Sequence, residues 1–262
     1  MRRLVRVVVL FGFVSGCAIR LVGEELSANA IVVQMMERNR LRQAMLQHYA
    51  SDRSYHLEYN GTTGEHHAEM KVHVEYTAPG RKLLTVVGES GSKVLCAQVL
   101  RKLVEGEQET ADKQNWQRAM FSPETYNFQL LGRETLDGMS TWVLQVEPKV
   151  ASRVDYRGKL WVSTDDFAMV RLQAEPAKSP SWLLSHASFD SWYMRRGEVW
   201  LPEKNVSTTH VRIGGEAKVT IDYGLYQVLA TSPVSAAFSS PAEEVPVRSR
   251  ATSQGRAGSV LH

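Results

Sequence analysis

Cysteine is scarce in this 262-residue chain, which contains only Cys17 and Cys96. A disulfide framework therefore does not hold the fold, and Cys96 has no intrachain partner if Cys17 is removed or acylated. Cys96 lies in an apolar helical pattern, which favours a buried, inert thiol over a nucleophile.

An excess of charge of one sign is also missing. The formal net charge is +3, and the basic residues are scattered along the chain. A nucleic-acid-binding surface needs clustered Lys and Arg, so this class of function is excluded. Hydrophobic residues make up 43% of the chain and charged residues 23%, as in an ordinary globular domain.

The sequence contains no complete catalytic or metal-binding pattern. Residues 88–92 (Gly-Glu-Ser-Gly-Ser) nearly match a nucleophile elbow, but Ser92 stands where the motif needs glycine. A turn is the favoured interpretation, and a hydrolase that uses Ser90 is a minor hypothesis. Adjacent strand residues point to opposite faces, so neighbouring histidines do not share an ion. This excludes a shared ion at His66 and His67, and no Cys or carboxylate lies at a recognised ligand spacing beside them or beside His56 and His73. We therefore predict no enzyme activity, no metal and no cofactor.

The N-terminus has the pattern of a secretory signal peptide, which we assign to residues 1–23. Arg2, Arg3 and Arg6 precede a short apolar run at 7–14. Residues 14–17 (Val-Ser-Gly-Cys) resemble a lipobox, in which Cys17 would be acylated and would anchor the protein. Cleavage after Ala18 or after Gly23, which would discard Cys17, is the alternative. Either way the sequence predicts export.

Two segments have helical spacing. The first is capped by Ser27 and predicted to run to about Tyr49, with methionines among its apolar positions. Those apolar positions are Ile31, Met35, Met36, Leu41, Met45 and Leu46. The second spans about 93–118 and is predicted to be interrupted at Gly106 and Asp112.

Most of the remaining chain alternates between apolar and polar residues, as half-buried antiparallel strands do. Strands are predicted at 55–59, 67–77 and 82–88, in several pieces between 130 and 175, and at 185–195, 198–208 and 216–228. Turn signals at Asn60-Gly61 and Asp137-Gly138 separate neighbouring strands. Residues 231–262 have little to bury and are predicted to form a disordered tail.

The order of these motifs resembles the LolA-like family of lipoprotein-sorting proteins. The resemblance covers about 26–227 and rests on three stretches. They are residues 130–175, with Pro148-Lys149, Gly158, Trp161-Val162 and Asp165-Asp166-Phe167; residues 200–205 (Trp-Leu-Pro-Glu-Lys-Asn); and residues 215–223. It implies a mainly β fold with helices (α+β): a curved, incompletely closed antiparallel β-barrel over 24–230, with a helical lid over its concave face.

The same resemblance implies a non-enzymatic function in the periplasm or at the outer membrane of a Gram-negative-type bacterium. Proteins of this family carry acyl chains, and each exposed acyl methylene costs about 0.8 kcal/mol in water. The implied partner is the acyl chain of a lipoprotein or another amphipathic lipid. The alternative function is an envelope-stress regulator or scaffold that binds a protein partner, as some relatives do.

The family's carriers have an arginine that bonds to the lid shortly after the Pro-Gly turn, followed by tryptophan. Here that stretch is 79–84 (Pro-Gly-Arg-Lys-Leu-Leu), so Arg81 is the nearest arginine and no tryptophan follows. The sequence departs from the family pattern at this point. The predicted lipid-binding wall consists of apolar strand residues on one face: Met70, Val72, Val74, Leu144, Val146, Leu160, Val162, Val170, Leu172 and Ile221.

Overall fold

The computed structural model describes residues 26–62, 64–112, 121–152, 155–178, 184–211 and 214–230. The predicted signal peptide, the lipobox cysteine Cys17 and the predicted tail lie outside these residues. Within them, no helix is both long and apolar enough to cross a membrane.

Eleven strands and two helical segments make up the described chain. The helices are α1 (Ala28–Met45), α2 (Lys93–Leu95) and α3 (Arg101–Asp112), the last two joined by a π-helical turn at Cys96–Leu100. The strands are β1 (Leu46–Gly61), β2 (Gly64–Thr77), β3 (Arg81–Gly91), β4 (Tyr126–Leu136), β5 (Met139–Pro148), β6 (Tyr156–Ser163), β7 (Met169–Pro176), β8 (Leu184–Arg196), β9 (Val199–Val211), β10 (Gly215–Tyr223) and β11 (Gln227–Ala230).

All the strands belong to one antiparallel sheet, in the order β3-β2-β1-β10-β9-β8-β7-β6-β5-β4, and β11 pairs with the start of β1. The edge strands β3 and β4 do not pair with each other, so the described sheet is curved but not closed. Because the helices pack on one face of this open sheet, the predicted fold class is confirmed.

Local turn chemistry places the β4–β5 hairpin where the sequence predicts it. Asp137 and Gly138 have φ values of 48° and 81°, which suit the tight turn between β4 and β5. The turn predicted at Asn60-Gly61 is wrong, because both residues lie in β1 and pair with Glu65 and Gly64 of β2. Ser27 caps α1, since its Oγ accepts a hydrogen bond of 3.2 Å from the amide of Ala30.

Two helix predictions are wrong. The first helix ends at Met45 rather than about Tyr49, because the chain from Leu46 onward pairs as a strand with β2 and β11. Leu41, predicted on its apolar face, is 43% exposed. Gly106 does not interrupt α3, because a glycine inside a helix costs only about 1 kcal/mol and the packing of Val104 offsets this cost.

A glycine is required where β6 pairs with β7. A Cβ atom on Gly158 would lie 2.1 Å from the carbonyl oxygen of Gln173, so Gly158→Ala must displace one of the two strands. We expect the free energy of unfolding in urea to fall by about 2 kcal/mol, the order typical of overpacking. Gly88→Ala is the control, because its Cβ would meet no atom within 4 Å. Equal losses in the two variants would contradict this prediction.

Candidate functional site

The helix-covered face of the sheet carries one cross-strand row of side chains that extends over nine strands. Residues directly opposite each other on paired strands share a face. From β4 to β2 the row is Leu130, Leu144, Leu160, Leu172, Ser191, Asn205, Ile221, Tyr55 and Met70. Both ends of the row are apolar and its middle is polar. We call this the concave face.

The two apolar ends of the concave face form separate buried clusters, each covered by a helix. Over β4–β7, Ile31, Val32 and Met35 of α1 pack on the side chains around Leu144 and Leu160. Over the other end, residues of the π-helical turn and of α3 pack on β1 and β2. These helical residues are Cys96, Leu100 and Val104, and the strand residues include Tyr55, Leu57, Met70, Val72 and Val74. Cys96 is 3% exposed, so the prediction of a buried thiol is confirmed.

A polar strip separates the two clusters. Ser191, Asn205 and Ser207 are all partly exposed to solvent. The Asn205 amide donates to Ser191 Oγ at 2.7 Å, and the Ser207 hydroxyl donates to Asn205 Oδ1 at 2.8 Å. The part of the concave face between the two helical segments is therefore more exposed to solvent than the parts beneath them.

Nine of the ten predicted wall residues lie in or against the two clusters. Met70, Val72 and Val74 are buried in the cluster under α3, and Ile221 packs against it. Leu144, Val146, Leu160, Val162 and Leu172 are buried in the cluster under α1. Val170 is buried but belongs to neither cluster, because a bulge interrupts the β6–β7 register beside it. Their role in binding lipid stays a prediction.

Three charged residues attach α3 to the sheet, and we call Arg53, Lys82 and Glu107 the ion cluster. Arg53 Nη1 donates to both carboxylate oxygens of Glu107, at 2.8 and 2.9 Å, and Lys82 Nζ donates to Glu107 Oε1. The Arg53 side chain is only 1% exposed. Sequence reasoning missed all three residues and considered Arg81 instead, which is exposed beside the turn.

The residues of the ion cluster and their burial shift one another's pKa values. Burial opposes ionisation of Glu107, but the charges of Lys82 and Arg53 outweigh it and lower the pKa of Glu107 to about 2. Burial also opposes the charge on Arg53, yet Glu107 raises the pKa of Arg53 above its ordinary value. Burial lowers the pKa of Lys82, and the nearby Glu107 carboxylate offsets part of this effect.

A neighbouring side chain of α3 completes the attachment to edge strand β3. Gln108 Oε1 accepts from the Leu84 amide at 2.9 Å, and Gln108 Nε2 donates to the Lys82 carbonyl at 2.6 Å. The side chain thereby satisfies backbone groups that an edge strand otherwise leaves to solvent. The helix α3 is held mainly by polar contacts at its C-terminal half and by apolar packing before it.

The other helix, α1, has one polar anchor on the sheet. Arg42 pairs with Asp166 at 3.2 Å, and the Trp200 indole donates to the same carboxylate at 2.8 Å. Burial opposes ionisation of Asp166, but hydrogen bonds from Trp200 and Ser163 outweigh it and lower the pKa of Asp166. The predicted turn at Asp165-Asp166 therefore also fixes the end of a helix.

The arrangement around Ser90 does not support hydrolysis. Ser90 lies in β3 rather than in a turn after it, which corrects the predicted strand end at Gly88. Its hydroxyl donates to Glu69 at 3.3 Å, and His56 contacts that carboxylate rather than the serine. A general base for serine must reach the hydroxyl itself.

The histidines of β1 and β2 do not gather into a metal site in the described chain. His66 and His67 border a polar depression of about 430 Å³ beside the β1–β2 hairpin, together with Glu58, Glu65 and Glu216. His73 instead pairs with Asp52 at 2.7 Å, which raises the pKa of His73.

No family model and no curated protein sequence matches the chain. Among solved structures it is similar to a DUF1329 family protein from Desulfovibrio piger, at 14% identity and a TM-score of 0.39, over 78% of this chain and 94% of that one. A LolA superfamily protein from Nitrosomonas europaea matches at 14% identity and a TM-score of 0.37, over 80% and 97%. The lipoprotein LppX from Mycobacterium tuberculosis matches at 9% identity and a TM-score of 0.29, over 79% and 100%. At these TM-scores the likenesses are distant, and no residue role follows from them.

Proposed function

We propose that the protein is a non-enzymatic envelope protein that binds an acyl chain or another amphipathic lipid between its concave face and its two helices, in the sorting of lipoproteins to the outer membrane. The observation that carries this proposal is the row from Leu130 to Met70, apolar at both ends and covered there by separate helices. The sequence resemblance to lipoprotein-sorting proteins and the N-terminal export pattern support the same function.

An open sheet whose concave face is covered by helices suits a ligand with a long apolar tail. Each methylene transferred from water to an apolar surface contributes about 0.8 kcal/mol, so a palmitoyl chain needs a long wall rather than a small pocket. The edges β3 and β4 are unpaired with each other, so the concave face is not restricted by barrel closure. The two clusters share no residue, so each helical segment packs on its own part of the sheet.

Native mass spectrometry tests the proposal on protein expressed with its own leader and extracted gently from the envelope. We expect a non-covalent adduct with the mass of a lipid. A mature mass that begins at acylated Cys17 would support lipid anchoring, whereas a mass that begins after residue 17 would support cleavage. An empty protein that forms a stable complex with another envelope protein would contradict lipid binding and favour the partner-binding alternative.

A matched pair of variants tests which face binds the chain. Ile221→Gln places an amide on the concave face, and Thr220→Gln places the same group on the opposite face of β10. For 1-palmitoylglycerol below its micelle concentration, we expect Ile221→Gln to weaken binding about tenfold, equivalent to 1.4 kcal/mol. Thr220→Gln should keep the wild-type affinity. Circular dichroism melts confirm that both variants fold, and equal binding by the two would contradict the assignment of the wall.

A further inference from the structure

Three buried polar atoms on the concave side of β1 have no hydrogen-bond partner among the described residues. They are Ser51 Oγ, Arg53 Nε and Tyr55 OH, on residues that are 3%, 2% and 1% exposed. Because the three residues alternate along one strand, their side chains lie on the same face. A buried polar group without a partner costs about 1–3 kcal/mol, so native proteins rarely leave three together.

The charges of the ion cluster are also unbalanced. The ion cluster contains two cations, Arg53 and Lys82, and one carboxylate, Glu107, and no second carboxylate pairs with either cation within the described residues. The cluster therefore has a net charge of +1 in a setting where Arg53 is almost fully buried. Glu107 compensates the buried Arg53, so the excess positive charge lies on Lys82, whose side chain is 19% exposed. An anion that enters from solvent can pair with this cation.

The chemistry of the free groups selects the kind of ligand. Arg53 Nε carries a hydrogen and can only donate, and the hydroxyls of Ser51 and Tyr55 can both donate. Burial raises the pKa of Tyr55, so its hydroxyl keeps its proton at neutral pH. Three unpaired donors on one face of β1, beside two cations, match an oxyanion with several acceptor oxygens, such as a phosphate.

We propose that the ion cluster, together with Ser51 and Tyr55, binds the anionic oxyanion headgroup of the amphipathic lipid, and that Glu107 competes with this headgroup for Arg53 and Lys82. This proposal rests on the lipid-binding function proposed above and names the ligand class of that site. Tyr55 belongs to the row that contains Ile221 and Met70. A headgroup at Arg53 therefore leaves its acyl chain beside the apolar wall.

Competition with Glu107 links the binding of the headgroup to the attachment of α3 to the sheet. Glu107 lies on α3, and its carboxylate occupies the cations that the headgroup would use. When the headgroup takes those donors, α3 loses the attachment of Glu107 to β1 and β3. It keeps Gln108, the exposed Arg101–Glu89 ion pair at 2.9 Å and its apolar contacts. The ligand and the α3 carboxylate are thus alternative occupants of one site.

Two ligands that differ only by a phosphate test the proposal on the full-length protein. They are 1-palmitoylglycerol and 1-palmitoylglycerol 3-phosphate, titrated below their micelle concentrations with intrinsic tryptophan fluorescence as the readout. We expect the wild type to bind the phosphate-bearing lipid about tenfold more tightly. If the glycerol lipid does not bind, the proposed function fails; if it binds and the phosphate gives no gain, only the headgroup site fails.

Two substitutions in the ion cluster should change the phosphate preference in opposite directions. Lys82→Gln removes a cation and should reduce the preference to less than about twofold, whereas Glu107→Gln removes the competitor and should raise it about tenfold further. General damage to the site would lower the preference in both variants, so opposite shifts identify the charge effect. Lys71→Gln, an exposed lysine on the other face of β2, should leave the preference unchanged. A loss in Lys71→Gln as large as in Lys82→Gln would overturn the proposal.

A third ligand separates a lipid headgroup from a free anion. Glycerol 3-phosphate has the phosphate but no acyl chain, and we expect it to compete with the phosphate-bearing lipid only at concentrations at least a hundredfold above that lipid. Competition at equal concentrations would assign the site to a free anion and overturn the lipid-headgroup assignment.

Discussion

Replacing Arg53 by methionine is expected to lower the free energy of unfolding by about 3 kcal/mol. Methionine fills a similar volume, so the main loss is the buried guanidinium that holds both carboxylate oxygens of Glu107. Removal of one partner of a buried ion pair costs about 3–5 kcal/mol, because the other charge is left uncompensated. Lys82 still contacts Glu107 and keeps the loss near the lower limit. Urea denaturation at pH 7 measures this change.

An exposed ion pair provides the control for Arg53→Met. Arg157 pairs with Glu175 at 2.8 Å, but its side chain is 47% exposed. Exposed pairs contribute about 0–1 kcal/mol, so Arg157→Met should change stability by less than 1 kcal/mol. The double variant Arg53→Met/Glu107→Gln should lose less than the sum of the two single losses, because each single substitution already removes the Arg53–Glu107 pair. Similar losses in Arg53→Met and Arg157→Met would refute the anchoring role of Arg53.

The alternation of apolar and polar residues was sufficient to predict most of the strands and the face that they bury. The alternation in residues 67–77 predicts a strand, and β2 runs from Gly64 to Thr77 with Met70, Val72 and Val74 buried. Residues 185–195 likewise lie within β8, and the predicted strand 198–208 lies within β9 except for Glu198. In an antiparallel sheet a half-buried strand shows its inner face directly in its own sequence, which is why these predictions succeed.

The ends of elements could not be predicted in this way. Leu46 to Tyr49 continue the helical spacing of α1 but pair with β2 and β11, which lie far away in the sequence. The segment predicted as one strand at 216–228 is divided into β10 and β11, which both pair with β1. Pairing with distant strands decides these boundaries. A short stretch of sequence does not show which distant strand it will pair with.

The ion cluster is the part of the site that sequence reasoning missed. Its residues are 25 to 54 positions apart in the chain, and their meeting depends on how α3 docks on the sheet. One local signal was present: Ser51, Arg53, Tyr55 and Leu57 alternate with the polar residues Asp52, Ser54 and His56, which are less buried. This alternation places the charge of Arg53 on an inward face. A charged residue in an inward alternation is rarely buried unless it is paired, so this pattern predicts a partner without naming it.

The ionic attachment of α3 also makes the stability of the protein depend on pH. The folded protein holds the pKa of Glu107 at about 2, below the ordinary value of 4.5. A carboxyl whose pKa is lowered on folding stabilises the folded state above its unfolded pKa, and this contribution disappears as the pH falls to the folded pKa. The contribution of Glu107 is therefore complete above about pH 5 and is lost between about pH 4.5 and pH 2.

The expected result is a difference between the wild type and Glu107→Gln that shrinks in acid. The difference between the ordinary pKa of 4.5 and the folded pKa of about 2 corresponds to about 3 kcal/mol, of which about 2 kcal/mol is lost by pH 3. Urea denaturation at pH 7, 5, 4 and 3 measures it, and the comparison of variants cancels the other carboxyl groups. Glu203→Gln, which changes an exposed side chain outside the ion cluster, should keep a constant difference from the wild type. A constant difference for Glu107→Gln as well would show that Glu107 is not held as an anion by Arg53 and Lys82, and the competition between α3 and an anionic headgroup would lose its basis.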